Sequence, residues 1–253
     1  MKTQDRFNIS LDKFIDLALY EKKIGYYMKK NPFGEKGDFT TAPNISRLFS
    51  EIIAIWIISF WKSIGSPNNF NLIELGAGNG EMMNDMLTSF KKFPAFLKSS
   101  NIYIYEKSPN LIRVQKRKLK SGRIIWLSKL TNLKKNPSLF IANEFFDSIS
   151  IKQFIKLKKI WYEKFVNIKD KEKAFFFYKK INIKNYEKKV GYKISLNQNF
   201  IEYSETGVNY LKKISNMIKK NQGGLLIIDY GYFDKKMKNT LKAISNQKFS
   251  DVL

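Results

Sequence analysis

Apolar and polar positions in the middle of the chain repeat with two alternating periods. Short apolar runs at residues 72–75, 102–105 and 138–142 have the length and composition of buried strands. Residues 81–90 and 110–119, which follow the first two runs, predict helices. Alternating strands and helices are typical of a parallel doubly wound sheet. Open α/β sheets bind ligands at the edge where their strands end, so residues just past each run are candidates for chemistry.

Two further apolar runs extend the predicted sheet. Residues 124–127 predict one more strand, and the strongly apolar residues 225–228 predict another after a helix at 206–219. The chain is therefore expected to have an α/β fold with a Rossmann-like parallel sheet. Residues 235–253 have neither the length nor the β character to add two more strands, so the sheet is expected to be truncated.

The first 66 residues predict helices separated by a loop. Ser10 can cap a helix that ends before Gly25. A second helix is predicted at 45–64, with Trp56 and Trp61 in the core. The glycines, prolines and threonines between the two helices predict irregular structure.

Residues 151–205 differ from the rest of the chain. They contain three β-like segments that are rich in aromatic residues and lysine, and they show little helical period. We interpret this stretch as a β-rich insertion. The predicted organisation is an N-terminal helical segment (1–66), a Rossmann-like core (67–150), the insertion (151–205) and a return to the core (206–253).

The amino-acid composition excludes several classes of site. The chain has no cysteine and no histidine, which rules out disulfides, thiolate nucleophiles, zinc–sulfur sites and a Ser-His-Asp hydrolase. Any acid–base chemistry falls to Asp, Glu, Lys or Tyr. We predict no metal site, because the usual transition-metal ligands are missing.

The formal charge of +24 invites a nucleic-acid interpretation, since surface lysine and arginine attract phosphate. Two features disfavour it. The lysines are spread along the whole chain among many Ile and Asn residues, which suggests compositional bias. Arginine, the better reader of bases and phosphates, occurs only at Arg6, Arg47, Arg113, Arg117 and Arg123. Nucleic-acid binding or methylation therefore remains an alternative that predicts steep salt dependence.

Targeting and membrane signals are weak. The N-terminus mixes acidic and basic residues early and has no uninterrupted apolar core. The most apolar stretch, residues 52–61, has about half the ~20 residues that a bilayer span needs. We expect no membrane span and a cytoplasmic location, or the mitochondrial matrix if the source is eukaryotic.

Three glycines on alternate positions follow the first predicted strand. They give the pattern Glu74-x-Gly76-x-Gly78-x-Gly80. A dinucleotide fingerprint would need its third glycine at position 81, which is Glu81. Such a turn brings the backbone close to a ligand and precedes a helix N-terminus. An ordinary strand–helix connection is the alternative.

Acidic and amide residues follow two other predicted strands. Glu106 follows the second strand, where a carboxylate can accept hydrogen bonds from two vicinal ribose hydroxyls. Asn143, Glu144 and Asp147 follow the strand at 138–142, where they can face a second substrate. The alternatives are a solvated acid at Glu106, and an Asx-turn with a helix cap at 143–147.

Several separated segments together resemble the MidA family. They are Ala18-Leu-Tyr, Gly25-Tyr-Tyr, Gly37-Asp-Phe-Thr-Thr-Ala-Pro, Glu74-Leu-Gly-Ala-Gly-Asn-Gly, Glu106-Lys-Ser-Pro-Asn-Leu, Gln115, Asn143-Glu-Phe-Phe-Asp and Asp229-Tyr-Gly-Tyr. The resemblance spans nearly the whole chain. Two departures are the absence of a histidine before Gly25-Tyr-Tyr and of roughly a hundred residues that family members have after Asp229-Tyr-Gly-Tyr.

The resemblance implies a class I S-adenosylmethionine (SAM) methyltransferase fold with an inserted subdomain, and SAM as cofactor. It also implies a protein arginine substrate, on a respiratory-chain subunit in mitochondria. Matched position by position, the family's cofactor-binding residues fall on Asp38, Glu74, Gly76, Ala77, Gly78, Gly80 and Glu106. The residues on the acceptor side fall on Asn143, Glu144 and Asp147.

The predicted function is SAM-dependent methylation of a protein side chain, and the resemblance implies that the acceptor is arginine. Carboxylates of Glu144 and Asp147 would pair with a guanidinium and expose one nitrogen, while Asn143 orients the acceptor. A non-catalytic assembly factor that binds a client subunit is the alternative from another functional class. The oligomeric state is not predicted.

Overall fold

The computed structural model describes residues 7–34, 37–169 and 173–253. Its helices, in chain order, are α1 (Leu11–Tyr20), α2 (Tyr26–Lys29), α3 (Ala42–Ile45), α4 (Arg47–Ser63), α5 (Glu81–Phe90), α6 (Pro94–Ser99), α7 (Pro109–Lys118), α8 (Ile183–Val190) and α9 (Glu205–Asn221). Its strands are β1 (Phe7–Ser10), β2 (Phe70–Leu75), β3 (Ser100–Tyr105), β4 (Ile124–Leu127), β5 (Ser138–Asn143), β6 (Lys152–Leu157), β7 (Ile160–Lys169), β8 (Lys173–Ile181), β9 (Phe200–Tyr203), β10 (Gly223–Ile228), β11 (Ala243–Ser245) and β12 (Lys248–Ser250). A 3₁₀ turn lies at Leu130–Asn132.

Five strands form the predicted parallel sheet, in the order β10-β5-β2-β3-β4. The register places Ile73 of β2 between Phe140 of β5 and Tyr103 of β3. All six residues of β2 are buried because the strand lies at the centre of the sheet and both faces are covered. The α/β fold class is confirmed, and the carboxyl ends of β2, β3 and β5 meet at one edge.

Helices cover the two faces of this sheet unequally. The larger apolar cluster joins α4 and α5 to one face through buried residues such as Ile57, Met83 and Leu72. On the other face, Ile214 of α9 packs among Tyr103 and Phe140. The sheet therefore stays open only at its strand ends and outer edges.

The β-rich insertion is a separate antiparallel sheet. Strands β6, β7, β8 and β9 come from the predicted stretch and pair in the order β7-β6-β9, with β8 on β7. Helix α8, which the sequence pattern does not predict, supplies Ile183 to a small core with Phe154 and Ile201. This confirms the β-rich insertion, although its exact boundaries remain a prediction.

The N-terminal segment is not entirely helical. Strand β1 lies within it and pairs antiparallel with β7, so that Ile9 lies opposite Val166. Four residues are too few to show an alternation in the sequence, and the pairing partner lies more than 150 residues away. Ser10 precedes α1 as predicted, but its side chain makes no capping hydrogen bond.

The predicted helix at 45–64 is observed as α4, which begins two residues later at Arg47, but one of its tryptophans is not in the core. Ser46 is extended (φ −143°, ψ 119°) and separates α3 from α4. Trp61 is 7% exposed, whereas Trp56 is 42% exposed and lies on a face of α4 with Leu48 and Ile52, which are also exposed. The prediction that Trp56 is a core residue is wrong, because only one face of α4 contacts the sheet.

The C-terminal residues do not extend the parallel sheet in the described part of the chain. Strands β11 and β12 form a two-stranded hairpin of their own, and β10 lies at the sheet edge. Among residues 7–34, 37–169 and 173–253, no helix has the length and apolarity needed to cross a bilayer.

Candidate functional site

The glycine run forms the tight turn that the sequence predicts. After β2 ends, Gly76, Gly78 and Gly80 adopt φ of 68°, 53° and 82°, and α5 then begins. These left-handed values favour glycine because it has no Cβ. At Gly76 a Cβ would also lie 2.9 Å from the Phe145 ring. Position 76 thus requires glycine for two reasons: its left-handed backbone angle and its close packing against Phe145.

Glu74 is a buried carboxyl without enough hydrogen-bond partners. It is 3% exposed, and its Oε2 has no partner among the described residues. Burial, together with repulsion from Glu106, raises the pKa of Glu74 to about 8. Asn143 Oδ1 is likewise buried without a partner in the described structure. Buried polar atoms are rarely left unpaired, so these two groups fit a polar ligand that brings donors.

Glu106 stands at the end of β3 with both carboxylate oxygens oriented by the protein. Oε1 accepts hydrogen bonds from the backbone N–H groups of Lys107 and Ser108, each at 2.9 Å. Oε2 accepts one from Gln115 Nε2 at 3.1 Å. Burial raises the pKa of Glu106, and these hydrogen bonds lower it in part. Oε1 already accepts two hydrogen bonds, so the remaining acceptor site of this carboxylate lies on Oε2 and is open to a ligand hydroxyl.

Gln115 is one of the positions that carry the family resemblance, but it is not among the predicted site residues. It is fully buried on α7. Its Oε1 accepts a hydrogen bond from the Trp126 indole at 2.9 Å, and its Nε2 donates to the Gly78 carbonyl at 2.9 Å as well as to Glu106. An indole N–H can only donate, so the Nε2 must face Glu106 and Gly78. The sequence does contain a signal for this role. Gln115 is a polar residue on the helix face that also carries the apolar Leu111 and Leu119.

The end of β5 carries the predicted acceptor-side residues. Glu144 has a φ of 48°, which is unusual for a residue other than glycine, and its N–H donates to the Ile228 carbonyl at 2.8 Å. Asp229 Oδ2 accepts hydrogen bonds from the N–H groups of Phe146 and Asp147. This ties the end of β10 to the segment that follows β5.

Three carboxylates therefore lie close together at this edge. Partial desolvation and the charges of Asp229 and Glu144 raise the pKa of Asp147 to about 7. Burial and then Asp229 also raise the pKa of Glu144, while the Ala42 N–H lowers it. Such a cluster favours a cationic ligand, because a positive charge relieves the mutual repulsion.

One cavity brings half of the ten predicted site residues together. Gly76, Gly78, Glu106, Glu144 and Asp147 all line it. A smaller neighbouring cavity is lined by Glu74, Ala77 and Asn143, and it shares Gly76, Gly78 and Glu144 with the first. The two neighbouring cavities thus bring eight of the ten predicted residues together, from both the cofactor side and the acceptor side.

Two predicted residues lie outside both linings. The carboxylate of Asp38 accepts hydrogen bonds from the Tyr26 hydroxyl and from the Asn246 N–H. Gly80 instead faces α7, where a Cβ would lie 3.3 Å from Leu119. Gly80 contributes a left-handed backbone angle to the turn. Direct cofactor contacts of Asp38 and Gly80 remain predictions.

Aromatic side chains also line the cavity. Tyr27 stacks between Tyr20 (ring centroids 5.6 Å apart) and Phe33 (6.2 Å), and Phe33 packs against Gly78. Ser108 Oγ donates to the Tyr27 carbonyl at 2.6 Å and so fixes α2 beside Glu106. The Gly25-Tyr-Tyr motif carries part of the family resemblance, but only the fold shows that Tyr27 faces the cavity.

The residues present fit SAM. The glycine turn offers close backbone approach, Glu106 offers an oriented carboxylate with an acceptor site for a ribose hydroxyl, and Glu74 and Asn143 offer unpaired buried oxygens. Within the described part of the chain, no group of three or more Asp, Glu, His or Cys is arranged to hold a metal ion.

A family model described as "Putative S-adenosyl-L-methionine-dependent methyltransferase" matches residues 52–253. Among curated proteins, the mitochondrial protein arginine methyltransferase NDUFAF7 of Xenopus laevis is 28% identical over 97% of this chain and 61% of its own length. The human protein of the same name is 30% identical over 94% of this chain and 60% of its own. The chain thus spans about 60% of the length of these relatives.

The fold matches a solved structure. A COG1565 superfamily member from Burkholderia thailandensis, crystallised with S-adenosyl-homocysteine, superposes with a TM-score of 0.70 at 21% identity. The match covers 83% of this chain and 55% of that one. Sequence and fold agree with the resemblance drawn from the motifs, and the chain therefore belongs to the MidA family of SAM-dependent methyltransferases.

Proposed function

We propose that this chain methylates a nitrogen of a protein side chain, with arginine as the acceptor residue. The observation that carries the proposal is the meeting of two sets of groups in one cavity. The glycine turn and Glu106 form one set, and Glu144 and Asp147 form the other. A site that joins a cofactor pocket to a carboxylate cluster suits transfer to a cationic acceptor.

The cofactor side is proposed to consist of the glycine turn, Glu74, Ala77 and Glu106, with Asp38 at its periphery. SAM, when bound there, supplies an electrophilic methyl group on a sulfonium. Glu106 would hold the ribose hydroxyls, since Gln115 and two backbone N–H groups orient its carboxylate. Holding two reactants in attack geometry is worth roughly 7–11 kcal/mol in favourable cases, so positioning is the main contribution expected of the protein.

The acceptor side is proposed to consist of Asn143, Glu144 and Asp147. A guanidinium is a poor nucleophile because its charge and lone pairs are delocalised. Carboxylates that pair with two of its nitrogens localise the charge there and leave the third nitrogen for attack. Asp147, with a pKa of about 7, is suited to take the proton that the methylated nitrogen releases.

The protein partner is proposed by analogy with the relatives. Those relatives are named as mitochondrial protein arginine methyltransferases, which supports a protein acceptor, and a respiratory-chain subunit is the candidate client. A cytoplasmic location remains part of the proposal.

The proposal is tested in two steps on the purified chain. Calorimetric titration with SAM and S-adenosyl-homocysteine first measures cofactor binding. Transfer of labelled methyl from SAM is then measured to peptides that contain arginine, lysine or citrulline at one position. We expect transfer to the arginine peptide alone, with Glu144→Gln retaining cofactor affinity and losing most of the transfer rate.

One result would contradict the role assigned to Glu144, and another would contradict the proposed methyl transfer itself. Full transfer activity in Glu144→Gln would remove the assigned role of that carboxylate. SAM binding without transfer to any peptide or client would instead favour a scaffold that holds a client subunit.

A further inference from the structure

A lysine of this chain occupies an aromatic site inside the cavity. Lys107 Nζ lies 5.0 Å from the centroid of the Tyr20 ring and 5.7 Å from that of the Tyr210 ring. Both distances are within the range of a cation–π contact. We call the space between these two rings the tyrosine site.

The two rings are held in place by other contacts. The Tyr20 hydroxyl donates to the Ser148 carbonyl and lies at the same 3.2 Å distance from Ser148 Oγ. The Tyr210 hydroxyl shares a 2.7 Å hydrogen bond with Tyr105 at the end of β3. Phe145 packs edge-on against the Tyr210 ring at 5.4 Å. The tyrosine site is therefore preorganised, which reduces the cost of binding a ligand there.

The electrostatic surroundings also favour a cation. Asp16 lies one helical turn before Tyr20 on α1 and lines the same cavity. Lys107 acts on Asp16 electrostatically and lowers its pKa, against a larger rise from burial. If Lys107 left the site, Asp16 would lose this compensating charge. Another cation entering from outside would restore it.

The side chain of Lys107 is free to move without disturbing Glu106. Its backbone N–H is bound to the Glu106 carboxylate, but residue 107 itself is exposed and its ammonium has no ion pair among the described residues. Lysine has a flexible four-carbon stem, so the ammonium can leave for solvent while the backbone stays fixed. A planar guanidinium stacks on aromatic rings more favourably than an ammonium does.

We propose that the tyrosine site is the subsite for the cationic side chain of the methyl acceptor, and that Lys107 occupies it until an acceptor displaces it. The inference rests on the proposed function, since it assigns the substrate side of the same cavity. It adds Tyr20, Tyr210 and Asp16 as binding residues and makes Lys107 an internal competitor.

The test uses N-acetyl-arginine amide as the probe and its citrulline counterpart, which is uncharged and of similar shape. Binding of each is measured by calorimetry with S-adenosyl-homocysteine present, in the parent chain and in Lys107→Met. We expect Lys107→Met to bind the arginine probe about tenfold more tightly, because a competing cation is gone. Affinity for S-adenosyl-homocysteine and for the citrulline probe should not change.

Two further variants make the result specific. Lys116→Met removes another lysine that lies over a single ring, Trp126, at 5.3 Å and outside the cavity lining. It should leave the affinity for the arginine probe unchanged. Tyr210→Leu in the Lys107→Met background should abolish the gain, while near-ultraviolet circular dichroism checks that the double variant is folded.

The outcomes separate this inference from the proposed function. Unchanged or weaker binding of the arginine probe in Lys107→Met would overturn the tyrosine site as a subsite for the acceptor. A parallel change in affinity for S-adenosyl-homocysteine would assign the site to the cofactor instead and would also overturn it. Failure of the parent chain to transfer methyl groups would contradict the proposed function, whereas the binding measurements would still report on the tyrosine site.

Discussion

Gln115 connects the two halves of the candidate cofactor site, because its amide donates to the Glu106 carboxylate at 3.1 Å and to the Gly78 carbonyl at 2.9 Å. The Trp126 indole holds that amide in one orientation. A helix, a strand end and a glycine turn are thus joined through one buried side chain. The relationship suggests that cofactor affinity depends on Gln115 as well as on the residues expected to touch the cofactor.

Replacing Gln115 tests this connection. Gln115→Leu leaves the Glu106 carboxylate and the Trp126 indole each short of one partner, and an unpaired buried polar group costs about 1–3 kcal/mol. We expect about tenfold or greater loss of affinity for S-adenosyl-homocysteine in a calorimetric titration. Arg113→Ala, at an exposed position of the same helix, is the matched control. Equal affinity in the two variants would show that Gln115 does not orient Glu106.

Gly76→Ala tests the glycine turn. A non-glycine residue in the left-handed region costs of order 1–3 kcal/mol, and the added Cβ would be 2.9 Å from the Phe145 ring. We expect a lower free energy of unfolding in urea and loss of SAM binding. Gly122→Ala should stay within about 0.5 kcal/mol of the parent chain, since no atom lies within 4 Å of a Cβ at that position. A neutral Gly76→Ala variant would contradict the close packing described above.

The raised pKa of Glu74 should make the stability of the chain depend on pH in an unusual way. Its pKa rises from 4.5 to about 8 on folding, so the folded chain keeps a proton that the unfolded chain releases. The free energy of unfolding should therefore fall as the pH rises from about 4.5 to about 8, by at most about 5 kcal/mol, and stay level above. Urea unfolding across this range should show the slope in the parent chain and a much smaller slope in Glu74→Gln. Glu51→Gln, which alters an exposed ion pair with Arg47, should keep it.

The raised pKa of Asp147 should determine how methyl transfer depends on pH. Its pKa of about 7 means that the carboxylate needed to pair with a guanidinium forms as the pH rises through neutrality. We expect kcat/KM for methyl transfer to rise through about pH 7 and then level off. Asp147→Asn should lose this step and about 10²-fold or more in rate. Asp251→Asn, exposed near the C-terminus, should preserve the profile, and an unchanged profile in Asp147→Asn would remove the proposed role.

Truncating the two tryptophans of α4 should lower the stability of the chain by different amounts. The Trp61 ring packs against Phe96 at 5.5 Å, and its indole donates to the Pro67 carbonyl at 3.1 Å. Trp61→Ala should lower the free energy of unfolding by about 3–5 kcal/mol. Trp56→Ala should cost much less, because that side chain is 42% exposed. Similar losses in both variants would mean that the exposed face of α4 is buried in solution.

Much of the central fold could be predicted from local sequence. Strands β2, β3, β4 and β5 and helix α5 follow the predicted runs to within two residues, because a buried parallel strand needs a continuous apolar run that is visible in the sequence itself. The glycine turn was predicted for the same reason, since its backbone angles restrict the residue type. The family followed from the order of the motifs.

Other features depend on partners far away in the chain. Strand β1 exists because β7 has an edge to pair with, and Trp56 is exposed because the sheet contacts the opposite side of α4. The family resemblance implies a cofactor contact for Asp38, but its carboxylate accepts hydrogen bonds from the Tyr26 hydroxyl and the Asn246 N–H. None of these partners can be inferred from the residues next to each position.

The sequence by itself determined the parallel sheet, the glycine turn and the acidic residues at the strand ends, because periodicity, backbone angles and residue chemistry are local properties. Only the tertiary structure decided that Gln115 joins Glu106 to the turn and that Lys107 lies between two tyrosines. It also decided that Glu74 stays buried without enough partners. Hydrogen bonding, ring contacts and desolvation depend on distances between residues that only folding brings together.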